Sequence, residues 1–218
     1  MLGTLGIDVL AAIAFLLLWY LIFVRYNRRQ AIAALHRMRS AFAGEAQIIA
    51  VHWADASQFC TRLRVDGGLF LQPTVRVRLQ PRQQPLQWMW SRVSRRQEMM
   101  TFEADLECPP SFNLEVHNQR WCGHTRKFPA HHLQRLTLDH CGPFVLTTRN
   151  EWQRDIMGMM NALMASRDCD LLSVTYRKNS PHFSASMPLA CIASEIEGDT
   201  RIFEVLRELA SCGQASRF

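Results

Sequence analysis

Histidine is missing from the longest apolar stretch of the sequence, Leu5–Val24 (LGIDVLAAIAFLLLWYLIFV). A helix built from it has no imidazole to offer a haem or a chlorophyll-type metal, so no bound pigment or other cofactor is expected there. Basic residues are missing from Met1–Ile7, which excludes the charged n-region of a cleavable signal peptide. Lysine is scarce: Lys127 and Lys178 are the only lysines among the 25 basic residues. That arginine excess is as readily an effect of genome composition as of a need for guanidinium groups. The seven cysteines are odd in number, irregularly spaced, and form no Cys-x-x-Cys pair. They do not read as a disulfide framework, and a reducing compartment would leave them as thiols. Also absent are a phosphate-binding loop ending in Lys-Ser/Thr, GxGxxG, GxSxG, HExxH and the Cys-x-x-Cys-His of a c-type haem. No nucleic-acid reading motif accompanies the positive charge, so nucleic acid is not an expected partner.

What is present begins with the span. Twenty helical residues rising roughly 1.5 Å each cover about 30 Å, the thickness of a hydrocarbon core. Within hydrocarbon, a helix satisfies its own backbone polar groups. Arg25, Arg28, Arg29, Arg37 and Arg39 follow with no acid before Glu45. Positive charge beside a span stays on the cytoplasmic side. The expectation is therefore a single-pass protein of the bacterial inner membrane, with its N-terminus outside and its main domain cytoplasmic. The arginines would meet anionic headgroups of the bilayer. Asp8 would lie near the outer end of the span, as an interfacial residue or a polar contact to a neighbouring helix.

From Gln30 to Phe42 the sequence stays helix-friendly, with Ile32, Leu35, Met38 and Phe42 at spacings of three and four. A continuation of the span, or a second helix on the membrane surface, is expected to end at Gly44. Its apolar stripe must meet the bilayer, the domain or a partner. The resulting division is 1–24 as transmembrane anchor, 25–44 as basic juxtamembrane helix, 45–213 as soluble domain and 214–218 as tail. Roughly 175 residues after Gly44 suffice for one domain with a substantial core.

Beyond Gly44 the period moves toward two. Expected strands are Gln47–Trp53, Thr61–Val65, Thr74–Gln80, Thr101–Glu107, Phe112–His117, Phe144–Thr148, Leu171–Tyr176 and Phe183–Met187. Pro109-Pro110-Ser111 and Lys178-Asn179-Ser180-Pro181 look like hairpin connections. Helices are expected over Glu151–Ser166 and Thr200–Cys212, the second stopping at Gly213. Strands in succession with helices appended predict an α+β fold with a mostly antiparallel sheet. The run TFEADLECPPSFNLEVHNQ, then LTLDHCGPFVLTTRNEW, an amphipathic helix and LLSVTYRKNSPHFSASM resembles uncharacterised bacterial single-pass membrane proteins. Those carry a C-terminal α+β domain of unknown function. The resemblance covers residues 100–212 and implies a fold, with no catalytic residues attached.

Three candidate sites follow. Cys122, His124, His131, His132, His140 and Cys141 carry zinc-ligand side chains. Their spacing is wrong for a metal, because adjacent ligands on a strand point opposite ways, and no metal site is expected. Cys122 with His124 and Arg126 also falls short of a nucleophilic pair, for want of a third group to hold the base. Glu103, Asp105 and Glu107 alternate with Phe102, Ala104 and Leu106, the pattern of a strand's wet face. In PLQWMWSRVSRR, residues Leu86, Trp88 and Trp90 share a face if the piece is extended, and Arg92, Arg95 and Arg96 follow. Trp and Arg anchor interfaces and also suit the headgroup level of a bilayer. Trp88, Trp90 and these arginines, with Asp8, Trp19, Arg25, Arg28 and Arg29, are the expected contacts to a partner or membrane. The alternative is a core strand followed by a basic turn.

The function expected is that of a non-catalytic accessory subunit anchoring to and stabilising a larger membrane complex, with an energy-transducing one, photosynthetic or respiratory, as the candidate. The competing expectations are a membrane-tethered thiol- or zinc-dependent enzyme and a transient assembly or signalling factor.

Overall fold

The computed structural model describes residues 2–42, 44–65, 67–94, 96–118, 134–136, 144–148, 171–194 and 201–215. It opens with a single helix, α1 (Leu2–Ala41), of 40 residues. No glycine or proline interrupts it between Ile7 and Ala41. The span and the Gln30–Phe42 stretch are therefore one element, about 60 Å long. Its two halves meet different surroundings. From Gly6 to Leu18 every residue is exposed, whereas Asn27, Ala31, Ala34, Met38 and Phe42, at helical spacing, are buried. The stripe expected from sequence is thus rotated. Met38 and Phe42 are in the core and Leu35 packs against it, but Ile32 is 42% exposed. Small alanines let the helix approach the domain closely. The turn closes with the amides of Glu45 and Ala46 donating to the Phe42 carbonyl (3.1 and 3.0 Å). Gly44 takes φ +93° there, a conformation that glycine adopts without strain.

The domain is α+β. Among the described residues there are nine strands: β1 (Ala46–Asp55), β2 (Gln58–Val65), β3 (Phe70–Arg78), β4 (Met99–Leu106), β5 (Leu114–Asn118), β6 (Gln134–Leu136), β7 (Phe144–Thr148), β8 (Ser173–Tyr176) and β9 (Phe183–Pro188). They form one antiparallel sheet in the order β1-β2-β3-β4-β9-β8-β5-β7-β6. The helices α2 (Pro85–Val93), α3 (Leu189–Ser194) and α4 (Arg201–Ala215) complete the described elements. Lys178–Pro181 does join a hairpin, β8 to β9. Pro109–Ser111 does not: β9 and β8 lie between β4 and β5 in the sheet. Two prolines in succession remove two amide donors and fix φ twice, which suits a crossing better than a tight turn. The expected helix over Glu151–Ser166 lies outside the described residues.

One sheet face is apolar and covered. Val75, Val77, Met100, Phe102, Ala104, Leu114, Val116, Val174, Phe183, Ala185 and Met187 are buried on it. Phe203 of α4 sits at the centre of its aromatic cluster, with ring centroids 5.9 Å from Phe42, 5.9 Å from Phe70 and 6.4 Å from Phe102. α4 runs through Gly213 instead of stopping there. A Cβ on Gly213 would lie 2.9 Å from the Tyr176 ring, so this glycine serves close approach and not a cap. Beneath it the Tyr176 hydroxyl donates to the Leu209 carbonyl at 2.7 Å, and burial pushes its pKa well above the ordinary tyrosine value. The other sheet face is polar. Arg76 pairs with Glu103 at 3.4 Å, and Glu115 lies 3.5 Å from Arg177.

Candidate functional site: a polar collar and an outward-facing helix

The chain from Leu79 to Glu98 wraps the middle of α1. Asn27 is fully buried there. Its side-chain amide donates to the Gln80 carbonyl at 3.1 Å and to Gln83 Oε1 at 2.7 Å, while its Oδ1 accepts from Arg82 Nη1 at 3.4 Å. Gln83 is buried in turn, and its amide donates to Asp55 Oδ2 and Ser57 Oγ in the β1–β2 turn, both at 3.4 Å. Arg82 forms an ion pair with Glu98 at 3.0 Å and lies over the Tyr26 ring, 5.1 Å from its centroid. The collar thus ties two connections of the domain, β1–β2 and β3–β4, to a single turn of α1. A buried amide that lost these partners would cost about 1–3 kcal/mol. Sequence reasoning missed Asn27, although an asparagine amid arginines one turn past an apolar run is visible in the sequence. What the sequence does not contain is that this position faces Gln80 and Gln83.

α2 stands beside the collar. Pro85 occupies its first turn, preset for helical φ, and the Trp88 amide donates to the Gln84 carbonyl at 2.8 Å. The extended strand considered for this segment is therefore incorrect. On a helix, Trp88 and Trp90 diverge by about 200°. Trp88 turns inward, with its ring centroid 6.0 Å from Trp19 and 6.4 Å from Phe23 of α1. The Trp19 indole N–H donates to the Arg82 carbonyl at 3.1 Å, and the Arg92 guanidinium covers Trp88 at 5.7 Å. Trp90 turns outward. It shares its face with Leu86, Met89 and Val93, and these four are 66%, 81%, 59% and 79% exposed, respectively.

The remaining expected contacts distribute as follows. Asp8, Arg25, Arg28 and Arg29 are exposed on α1, and Arg92 and Arg96 are exposed at the end of α2. Trp19 is half-buried, joined to the collar. Arg95, Cys122, His124, His131, His132, His140 and Cys141 lie outside the described residues. Among the described residues no group of three His, Cys, Asp or Glu side chains is placed to hold a metal ion. The thiol of Cys212, on α4, is pushed up by burial and then by the nearby Glu208 carboxylate, the opposite of what activates a nucleophile.

No family model matches the chain, and no curated protein matches its sequence. Among solved structures, it is similar to the crystal structure of the mycobacterial trehalose monomycolate transport factor A, TtfA. That match has 9% identity, covers 70% of each chain and has a TM-score of 0.40, a level from which no activity is transferred. Among the described residues one helix is long and apolar enough to cross a membrane, and none of its most apolar window is buried inside the protein.

Proposed function

We propose that the chain is a non-catalytic accessory subunit that anchors to a larger membrane protein complex and stabilises it. α1 runs through the bilayer of the inner membrane, and the domain caps the cytoplasmic face. The observation that carries this reading is the rigid union of span and domain. α1 is one helix whose outer half the chain leaves uncovered, and whose inner half is built into the core through Ala31, Ala34, Met38 and Phe42. The collar on Asn27 then fixes its rotation. A rigid union presents domain and span at one relative orientation, as a subunit that engages one neighbour with both requires. The arginines beyond the span, Arg25, Arg28 and Arg29, support the assigned side.

Solubilisation in mild detergent followed by native separation tests the proposal. Co-migration with a large complex at fixed stoichiometry is expected. Migration of the intact chain by itself would overturn it, and stoichiometric zinc in that material would favour the tethered metal enzyme instead.

A further inference from the structure

We propose that α2 is an interfacial membrane helix. It lies along the leaflet on the domain's side of the bilayer, with Leu86, Met89, Trp90 and Val93 inserted among the acyl chains. This goes beyond the subunit reading and rests only on α1 being embedded in lipid. The first argument is that α2 is amphipathic in the reversed sense. Its apolar residues fall at i, i+3, i+4 and i+7, the spacing by which a surface helix covers a core. Here that stripe points away from the protein, and the inward side consists of Trp88 and the buried Ser91.

The second argument is its level along the span. α2 touches α1 through Trp19 and Phe23. Trp19 lies five residues before Val24, about 7.5 Å into the apolar run. Interfacial helices bury their apolar face to a depth of about 5–10 Å. The outward stripe therefore continues the lipid-facing surface of α1, where Leu18, Leu21 and Ile22 are exposed.

Charge supplies the third argument. Arg25, Arg28 and Arg29, just past the apolar run of α1, and Arg92 and Arg96, at and beyond the end of α2, are all exposed. Their stems are long enough to place guanidinium groups at the phosphate level while the apolar side chains stay below it. Apart from the Trp90 indole N–H, no polar side-chain group interrupts the stripe; a single donor on an amphipathic ring suits the bilayer interface and gives a protein partner little hydrogen-bonding register. Two contacts, one across the membrane and one along it, hold the domain against the surface and prevent it from swinging about α1.

The test uses the full chain in vesicles of phosphatidylcholine and phosphatidylglycerol whose acyl chains carry bromine, a contact quencher of tryptophan. Subtracting the emission of Trp90→Phe from that of wild type isolates the Trp90 share. Bromines near the glycerol end should remove most of that share, bromines near the bilayer centre less, and aqueous iodide almost none. A share that iodide quenches and bromine spares would overturn the proposal and leave the face for a protein partner. Should Trp90 emit too weakly to resolve, the double variant Leu86→Trp/Trp90→Phe reports on the same face, and iodide sensitivity there is equally fatal. Only lipid and the chain are present, so a negative result leaves the subunit reading standing, just as solitary migration in detergent would leave this one.

Discussion

α2 and α4 are both short amphipathic helices, and they point their apolar stripes in opposite directions. In α4, Ile202, Phe203, Leu206, Leu209 and Ala210 face the sheet and are at most 2% exposed. In α2 the corresponding stripe is open. The difference teaches that helical periodicity specifies that a stripe needs covering, and that the supporting structure decides what covers it. α4 lies across a wide apolar sheet. α2 meets α1 through the rings of Trp88, Trp19 and Phe23.

The sharpest way to break the comparison is to truncate the centre of each stripe. Phe203→Ala removes the ring shared by Phe42, Phe70 and Phe102 and should destabilise the domain by about 3–5 kcal/mol in denaturant unfolding. Trp90→Ala, though it removes a larger side chain, should leave stability in detergent within about 0.5 kcal/mol of wild type. Equal losses would mean that α2 belongs to the core. Next in size is Gly213→Ala. The added methyl would lie 2.9 Å from the Tyr176 ring and should cost about 1–3 kcal/mol by overpacking; a stabilised variant, as helix propensity alone predicts, would show that α4 can shift outward. Asn27→Leu should cost about 1–3 kcal/mol by leaving Gln83 and the Gln80 carbonyl short of a partner. It should also expose the Leu79–Glu98 connection, α2 included, to faster amide exchange. Unchanged exchange would mean that Trp19 and Trp88 suffice to hold α2.

The smallest effect concerns pH and the polar sheet face, remote from both helices. Glu115 is held below the usual carboxylate range, first by a hydrogen bond with His117, then by the charges of His117 and Arg177, against an opposing desolvation. A depressed carboxylate stabilises the fold at pH above its ordinary value, and the contribution fades as pH falls through the lowered one. Glu115→Gln should therefore flatten the acid limb of the stability profile by under about 1 kcal/mol, with no change in the behaviour of α2. An unaltered acid limb would remove Glu115 from the account.

Much of the sheet was legible because period-two alternation is a local property. The strand over Phe144–Thr148 occurs as expected, and Phe102, Ala104 and Leu106 are buried opposite Thr101, Glu103 and Asp105. Strand pairing was not legible, since the hairpin assumed at Pro109–Ser111 depends on where β8 and β9 return from much later in the chain. Nor was α2: Trp88-Met89-Trp90 alternates like a strand, and the preset φ of Pro85 with the contacts of Trp88 prevailed over that pattern.

By itself, the sequence determined the apolar helix, the arginines that follow it and the α+β class, because hydropathy and residue period act over a few turns. Only the tertiary structure decided that the long apolar helix α1 is also a core element, that Asn27 is clamped by Gln80, Arg82 and Gln83, and that the α2 stripe faces outward. Each of these depends on contacts between residues about fifty or more positions apart, whose geometry exists only once the sheet has formed.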